Sequence, residues 1–191
     1  MKGLKYTDET AQSTWRSIVL TFLGDSICEL GESSEAERRY RQAWEILEQA
    51  DLLPSWRAIN KLKAARARAR SGDTDIDVEQ LHRWRQANKF GLFDGLTARY
   101  IAEILLLATE PDVVEARKWL EHAIDADRNN GLALELAKDY LCKSELYACT
   151  GETKLMAENL VAARNQFQEC GAEGSVEAID QRISSEALAT S

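Results

Sequence analysis

The sequence predicts an all-α fold: a right-handed α-solenoid of four helix hairpins closed by a C-terminal capping helix. Three observations lead there. Apolar residues recur at helical spacing along almost the whole chain, and glycine or proline interrupts them at regular intervals. Proline is nearly absent, with 2 in 191 residues, which disfavours turn-dense β-sandwiches and barrels. Finally, a small-residue triad returns with a period near 40 residues, and such a period marks a helical repeat array.

The elements follow in order. From Thr14 to Leu30, the residues Leu20, Leu23, Ile27 and Leu30 form an amphipathic stripe, which predicts a helix buried on that side. Gly31 stops it. Ser34 with Glu37 predicts a capping box that opens a second helix carrying Ala36, Tyr40, Ala43, Leu47 and Ala50. Leu53-Pro54 breaks that pattern. The second hairpin is predicted over Pro54–Ser71 and Asp77–Phe90, with Gly72 in its turn and Gly91 closing it. The third covers Leu92–Thr109 and Asp112–Ala126, turning at Glu110-Pro111. In the fourth, Asn130-Gly131 opens a long helix to Thr150, Gly151 turns it, and Glu152–Cys170 returns. An unpaired helix from Ser175 to about Leu188 forms the cap.

The period is read at the second helix of each pair. Ala36-Tyr40-Ala43, Gln80-Trp84-Ala87, Ala116-Leu120-Ala123 and Met156-Leu160-Ala163 share one spacing, and their last residues step by 44, 36 and 40. An alanine there allows close helix approach, while the larger residue before it fills the gap. The expectation is a single domain, 1–191, with repeats at about 14–53, 54–91, 92–129 and 130–170 and a cap at 175–188.

At these residues the chain resembles the tetratricopeptide repeat family. In the first repeat Leu23-Gly24, Ile27, Gly31, Ala36, Tyr40 and Ala43 stand at the family's spacings; in the fourth Tyr140, Ser144, Tyr147, Gly151, Leu160 and Ala163 do. The second repeat keeps Ala65 and Gly72, and the third has Pro111 in place of the turn glycine. None has the family's usual proline after its second helix at the standard place. The long repeats are similar to helical sensor arrays attached to bacterial signalling ATPases, cyclases and ATP-dependent transcription regulators. The resemblance implies a concave inner face lined by first helices, a preformed groove for a protein or peptide.

By that register the inner positions include Ile18, Thr21 and Asp25, then Ile59, Leu62 and Arg66. Leu96, Arg99, Glu103, Lys138, Leu141 and Glu145 continue them. Thr21 and Asp25 stand where some relatives carry the first Lys and Asn of a carboxylate clamp, so no chaperone-tail adaptor is implied. The candidate partner-binding residues are Ile59, Leu62, Arg66, Arg70, Arg99, Glu103 and Lys138.

Charge sharpens that choice. The formal net charge is −8, which argues against a nucleic-acid or anionic-membrane binder. Yet residues 54–89 hold nine Lys or Arg against four acids, with Lys63, Arg66 and Arg70 on one helical face. This is either a solvated basic helix beside acidic neighbours such as Asp73, Asp75 and Asp77, or an anchor for an acidic partner segment. The five tryptophans, Trp15, Trp44, Trp56, Trp84 and Trp119, fall near apolar stripes and are expected to pack between repeats.

Chemistry is sparse. Cys28, Cys142, Cys149 and Cys170 form no CxxC pair and are expected to be reduced, buried and structural, in a cytoplasmic setting without a secretory or membrane-spanning segment. His82 and His122 stand alone, without metal-ligand spacing, and no phosphate-cradling or nucleophile-elbow motif occurs. No cofactor, metal or catalysis is predicted. The function expected is a non-catalytic protein or peptide recognition scaffold, the sensor segment of a larger regulatory protein, with room for a homodimer. Two alternatives stand beside it: a small-molecule or short-peptide sensor binding in the groove, and a helical enzyme assembled around His122 or Cys142.

Overall fold

The computed structural model describes residues 2–75 and 77–189. Within that range lie nine α-helices and no strand: α1 Lys2–Glu29, α2 Ser33–Gln49, α3 Pro54–Arg70, α4 Val78–Ala87, α5 Asp94–Leu107, α6 Val113–Asn129, α7 Ala133–Thr150, α8 Thr153–Glu169 and α9 Glu173–Ala189. A single 3-10 turn, Gly91–Phe93, precedes α5. The breaks fall where glycine and proline place them, so the all-α expectation holds. The cap predicted at 175–188 lies within α9, while the outermost residues of the expected domain, Met1, Thr190 and Ser191, lie outside the described residues.

The chain separates into two compact units. One comprises Met1–Gly91 with Leu107–Pro111, the other Leu92–Leu106 with Asp112–Ser191. In the first, α1 packs on α2, α2 on α3 and α3 on α4. Its core gathers Cys28, Ala36, Tyr40, Ala64 and Ala67, with Ile27 against them. In the second, α6 packs on α7, α7 on α8 and α8 on α9. Its core joins Ala137, Leu160, Ala163, Phe167 and Ile179.

The helix ends share one closure. After α1, the Glu32 amide donates to the Ile27 carbonyl and the Gly31 amide to that of Cys28; after α7, Glu152 donates to Tyr147 and Gly151 to Ala148. This paired 6→1 and 5→2 pattern needs a left-handed residue, and Gly31 and Gly151 supply it at φ 83° and 73°. The same pattern closes α3, α6 and α8. It also closes α2, where Leu52 donates to Leu47 and Asp51 to Glu48, but with Asp51 rather than glycine at φ 49°. Leu53 follows at φ 43°, directly before Pro54 at the first position of α3.

Three local expectations need correction. Ser34 and Glu37 make no capping box: Glu32 is the N-cap of α2, without a side-chain bond, and Glu37 instead pairs with Arg41. Gly31 turns the chain so sharply that Ser33 already donates back to the Gly31 carbonyl. Asn130-Gly131 ends α6 rather than opening α7. Of the four triads, Ala36-Tyr40-Ala43 and Ala116-Leu120-Ala123 are fully buried, and Leu160 and Ala163 are buried beside half-buried Met156. Gln80-Trp84-Ala87 is not, because α4 has only 10 residues and buries Leu81 instead.

Candidate functional site

In the first unit the expected inner face is used for joining helices. Ile59 and Leu62 are completely buried, so a partner would reach them only by displacing the packing around α3. Thr21 Oγ1 donates to Asn60 Oδ1 at 2.8 Å, and Asn60 Nδ2 donates to the Trp56 carbonyl at 2.9 Å. Asp25 accepts from the Tyr40 hydroxyl at 2.8 Å and from Lys63 Nζ at 2.5 Å. Polar positions assigned to a groove therefore tie α1 to α2 and α3.

The basic excess of α3 is largely matched by acids close by. Buried Lys63 pairs with half-exposed Asp25, Lys61 with Glu48 at 2.8 Å, Arg68 with Asp73 at 3.3 Å and Arg57 with Asp51 at 3.5 Å. Lys61 also stands over the Trp44 ring, 4.6 Å from its centroid. Of the acidic neighbours expected from sequence, Asp73 pairs with Arg68, while Asp25, Glu48 and Asp51 come from α1, α2 and the turn after it. Arg66 is half-buried and Arg70 exposed, so these two keep a surface position.

In the second unit Arg99 and Glu103 are buried. Arg99 reaches from α5 to α7: its Nη1 donates to Asp139 Oδ1 at 2.7 Å and to the Glu135 carbonyl at 3.0 Å, and its Nη2 to Glu135 Oε2. Glu103 lies 3.7 Å from its Nε, and half-buried Lys138 donates to Glu135 Oε1 at 3.0 Å. Despite burial, which opposes the charge, Glu135 and Asp139 hold the Arg99 guanidinium charged. Burial pushes Glu135 up, but Arg99 and Lys138 overcome it and hold the carboxyl at about 2.

Asp127 of α6 completes the cluster. It is fully buried, and among the described residues neither of its carboxylate oxygens, nor Asp139 Oδ2, receives a donor. Burial first, then the neighbouring Asp139 charge, raises the Asp127 carboxyl to about 7; burial raises Asp139 to about 6 against the pull of Arg99. Each carboxyl thus keeps its proton above the ordinary carboxylate range, because burial disfavours its charge. Arg99, Glu103, Asp127 and Asp139 are buried, while Glu135 and Lys138 stand at the edge of the cluster, partly exposed.

Where, then, is surface left for a partner? Helix α1 answers with an inversion. Its small residues Ser17, Thr21, Gly24 and Cys28 face inward and are buried, and a methyl on Gly24 would stand 2.7 Å from the Tyr40 ring. Its large apolar residues face outward: Trp15 is 66% exposed, Val19 62%, Phe22 60% and Leu30 76%. The stripe Leu20, Leu23, Ile27 and Leu30 is accordingly not the buried face: Leu23 and Leu30 are exposed, Leu20 is half-buried and Ile27 packs against the core. Trp15 does not pack between repeats, while Trp44, Trp56, Trp84 and Trp119 are half-buried. Sequence reasoning followed side-chain size; the usable signal was the 4-3-4 spacing of small residues at 17, 21, 24 and 28. Beside this face, Arg16 and Leu20 of α1 and Arg39, Gln42 and Ile46 of α2 line a cleft of about 450 Å³.

The other candidates are structural or scattered. Cys28 and Cys142 are buried but Cys149 and Cys170 are exposed, against expectation, and all four are free thiols. His122 Nε2 lies 3.7 Å from Asp94 and edge-on to Trp119. Among the described residues no group of three or more His, Cys, Asp or Glu is arranged to hold a metal ion, and no helix is long and apolar enough to cross a membrane. In comparisons with known proteins, no family model matches the chain and no curated protein shows significant similarity to it.

Proposed function

We propose that the chain is a non-catalytic recognition and assembly scaffold, a solenoid of tetratricopeptide-like hairpins serving as the interaction segment of a larger regulatory protein. The recurring helix closures, the packing of sequence-adjacent helices and the three buried triads support the repeat reading. The observation that carries the recognition role is the outward face of α1, where Trp15, Val19, Phe22 and Leu30 stand in water at helical spacing. Apolar residues scattered singly need no explanation, but four along one face of a helix do. Binding is of the helix-in-groove type, with Trp15 and Phe22 as anchors.

The test is macromolecular association of the purified chain, compared for wild type, V19E/F22E and R66E/R70E. Association lost at least tenfold in V19E/F22E, with far-UV helicity unchanged, supports the reading. Association untouched by V19E/F22E overturns it, and loss confined to R66E/R70E moves the contact to α3. Saturable binding of a small molecule, with no macromolecular association, overturns the scaffold reading altogether.

A further inference from the structure

Resting on that reading, we propose that the occupant of the α1 face is a second copy of this chain, seated antiparallel on its own counterpart. The first argument is area. At the observed exposures Trp15, Val19, Phe22, Leu23 and Leu30 leave roughly 500–600 Å² of apolar surface open, counting about 150–250 Å² for a whole aromatic side chain. A stable interface needs about 800 Å² from each partner, which Ser26 within the face and Gln12 and Arg16 beside it bring within reach.

The second argument is charge. Two copies that each carry −8 repel unless they meet on a neutral surface. From Trp15 through Val19, Phe22 and Ser26 to Leu30 this face carries no charged residue, with Arg16 on one margin and Glu29 on the other. A closed pair needs a patch compatible with itself, and an uncharged one is.

Register supplies the third. With the two-fold axis between Phe22 and Leu23, Trp15 of one copy meets Leu30 of the other and Val19 meets Ser26. Phe22 then meets Leu23, so each large side chain faces a smaller one. The antiparallel arrangement also sets the helix dipoles head to tail.

The experiment is sedimentation equilibrium of the full chain from about 1 to 100 μM, a range that brackets micromolar dissociation constants. The expected result is a monomer–dimer equilibrium that V19E/F22E weakens at least a hundredfold at constant helicity. Ser26→Arg, a change at an exposed position, provides the same test should the double variant misfold. A photoreactive group at position 15 is expected to crosslink to the copy's segment around Leu30. A wild-type chain that stays monomeric overturns the proposal, and so does a dimer indifferent to both variants. A monomer that nonetheless loses another macromolecule in V19E/F22E overturns self-pairing alone and leaves the scaffold reading standing. Crosslinking from position 15 to the copy's own Trp15 region overturns the antiparallel register.

Discussion

Asp127 of α6 lies directly on Gly95 of α5: a methyl group built at position 95 would stand 2.1 Å from the Asp127 carboxylate oxygen. Glycine at this point lets a buried acid occupy the space a side chain would take. Gly95→Ala is therefore expected to destabilise the second unit by about 1–3 kcal/mol, the usual range for overpacking. Urea denaturation followed by circular dichroism measures it. A stability equal to wild type would mean that the two helices do not approach this closely.

The neighbouring acid pair sets a pH dependence. Asp127 and Asp139 are raised on folding to about 7 and about 6, so between about pH 4 and 7 the folded state binds more protons than the unfolded one. Stability gained from this pair is full at the acidic end of that window and is lost as pH rises through it. The facing groups are Arg99 and Glu103 on α5 and Glu135 and Lys138 on α7. Of these, Glu135 works the other way: held at about 2, it contributes above pH 4.5 and loses that contribution as pH falls through 2. The urea midpoint is expected to be higher at pH 5.5 than at pH 8, and Asp127→Asn is expected to abolish most of the difference. A wild-type midpoint that rises toward pH 8 would contradict the raised Asp127 and Asp139 carboxyls.

Removing the cation exposes the same cluster from the other side. Arg99→Gln removes the cation from buried Asp139 and from half-buried Glu135, which keeps Lys138, a change expected to cost about 3–5 kcal/mol. The loss is expected to shrink on acidification from pH 8 to pH 5.5, because the acids then take up protons instead. Equal losses at both pH values would show that these charges do not govern the site.

Strain is concentrated after α2. Asp51 holds the left-handed conformation that glycine occupies in the parallel turns, and its ion pair to Arg57 spans a loose 3.5 Å. Asp51→Gly is expected to gain about 0.5–1 kcal/mol, raising the thermal midpoint by about 1–4 °C. A lowered midpoint would mean that the Asp51 side chain contributes more than its backbone costs.

Much of the helical layout was legible because the stops are chemical. Gly31, Gly72, Gly151 and Gly171 and the Leu53-Pro54 step leave the helix no alternative, so boundaries fell within a few residues except at α1, which runs to Lys2, and α4, which ends at Ala87. The triads were legible where alanine met a large neighbour, and failed at Trp84 because a ten-residue helix has little face to bury. The partner surface was misplaced for a specific reason. Hydropathy assigns large apolar residues inward, whereas Tyr40 demands a glycine and small neighbours across from it, turning Trp15 and Phe22 to water. Arg99 and Asp139 are 40 residues apart, one repeat length, but nothing in either residue type announces that they meet.

The shared helix closure has a consequence for how such a chain changes length. Six joints, those after α1, α2, α3, α6, α7 and α8, are defined by the same two amide bonds around a left-handed residue. A helix cut out or copied between two of these joints would meet the same backbone conformation at each new seam.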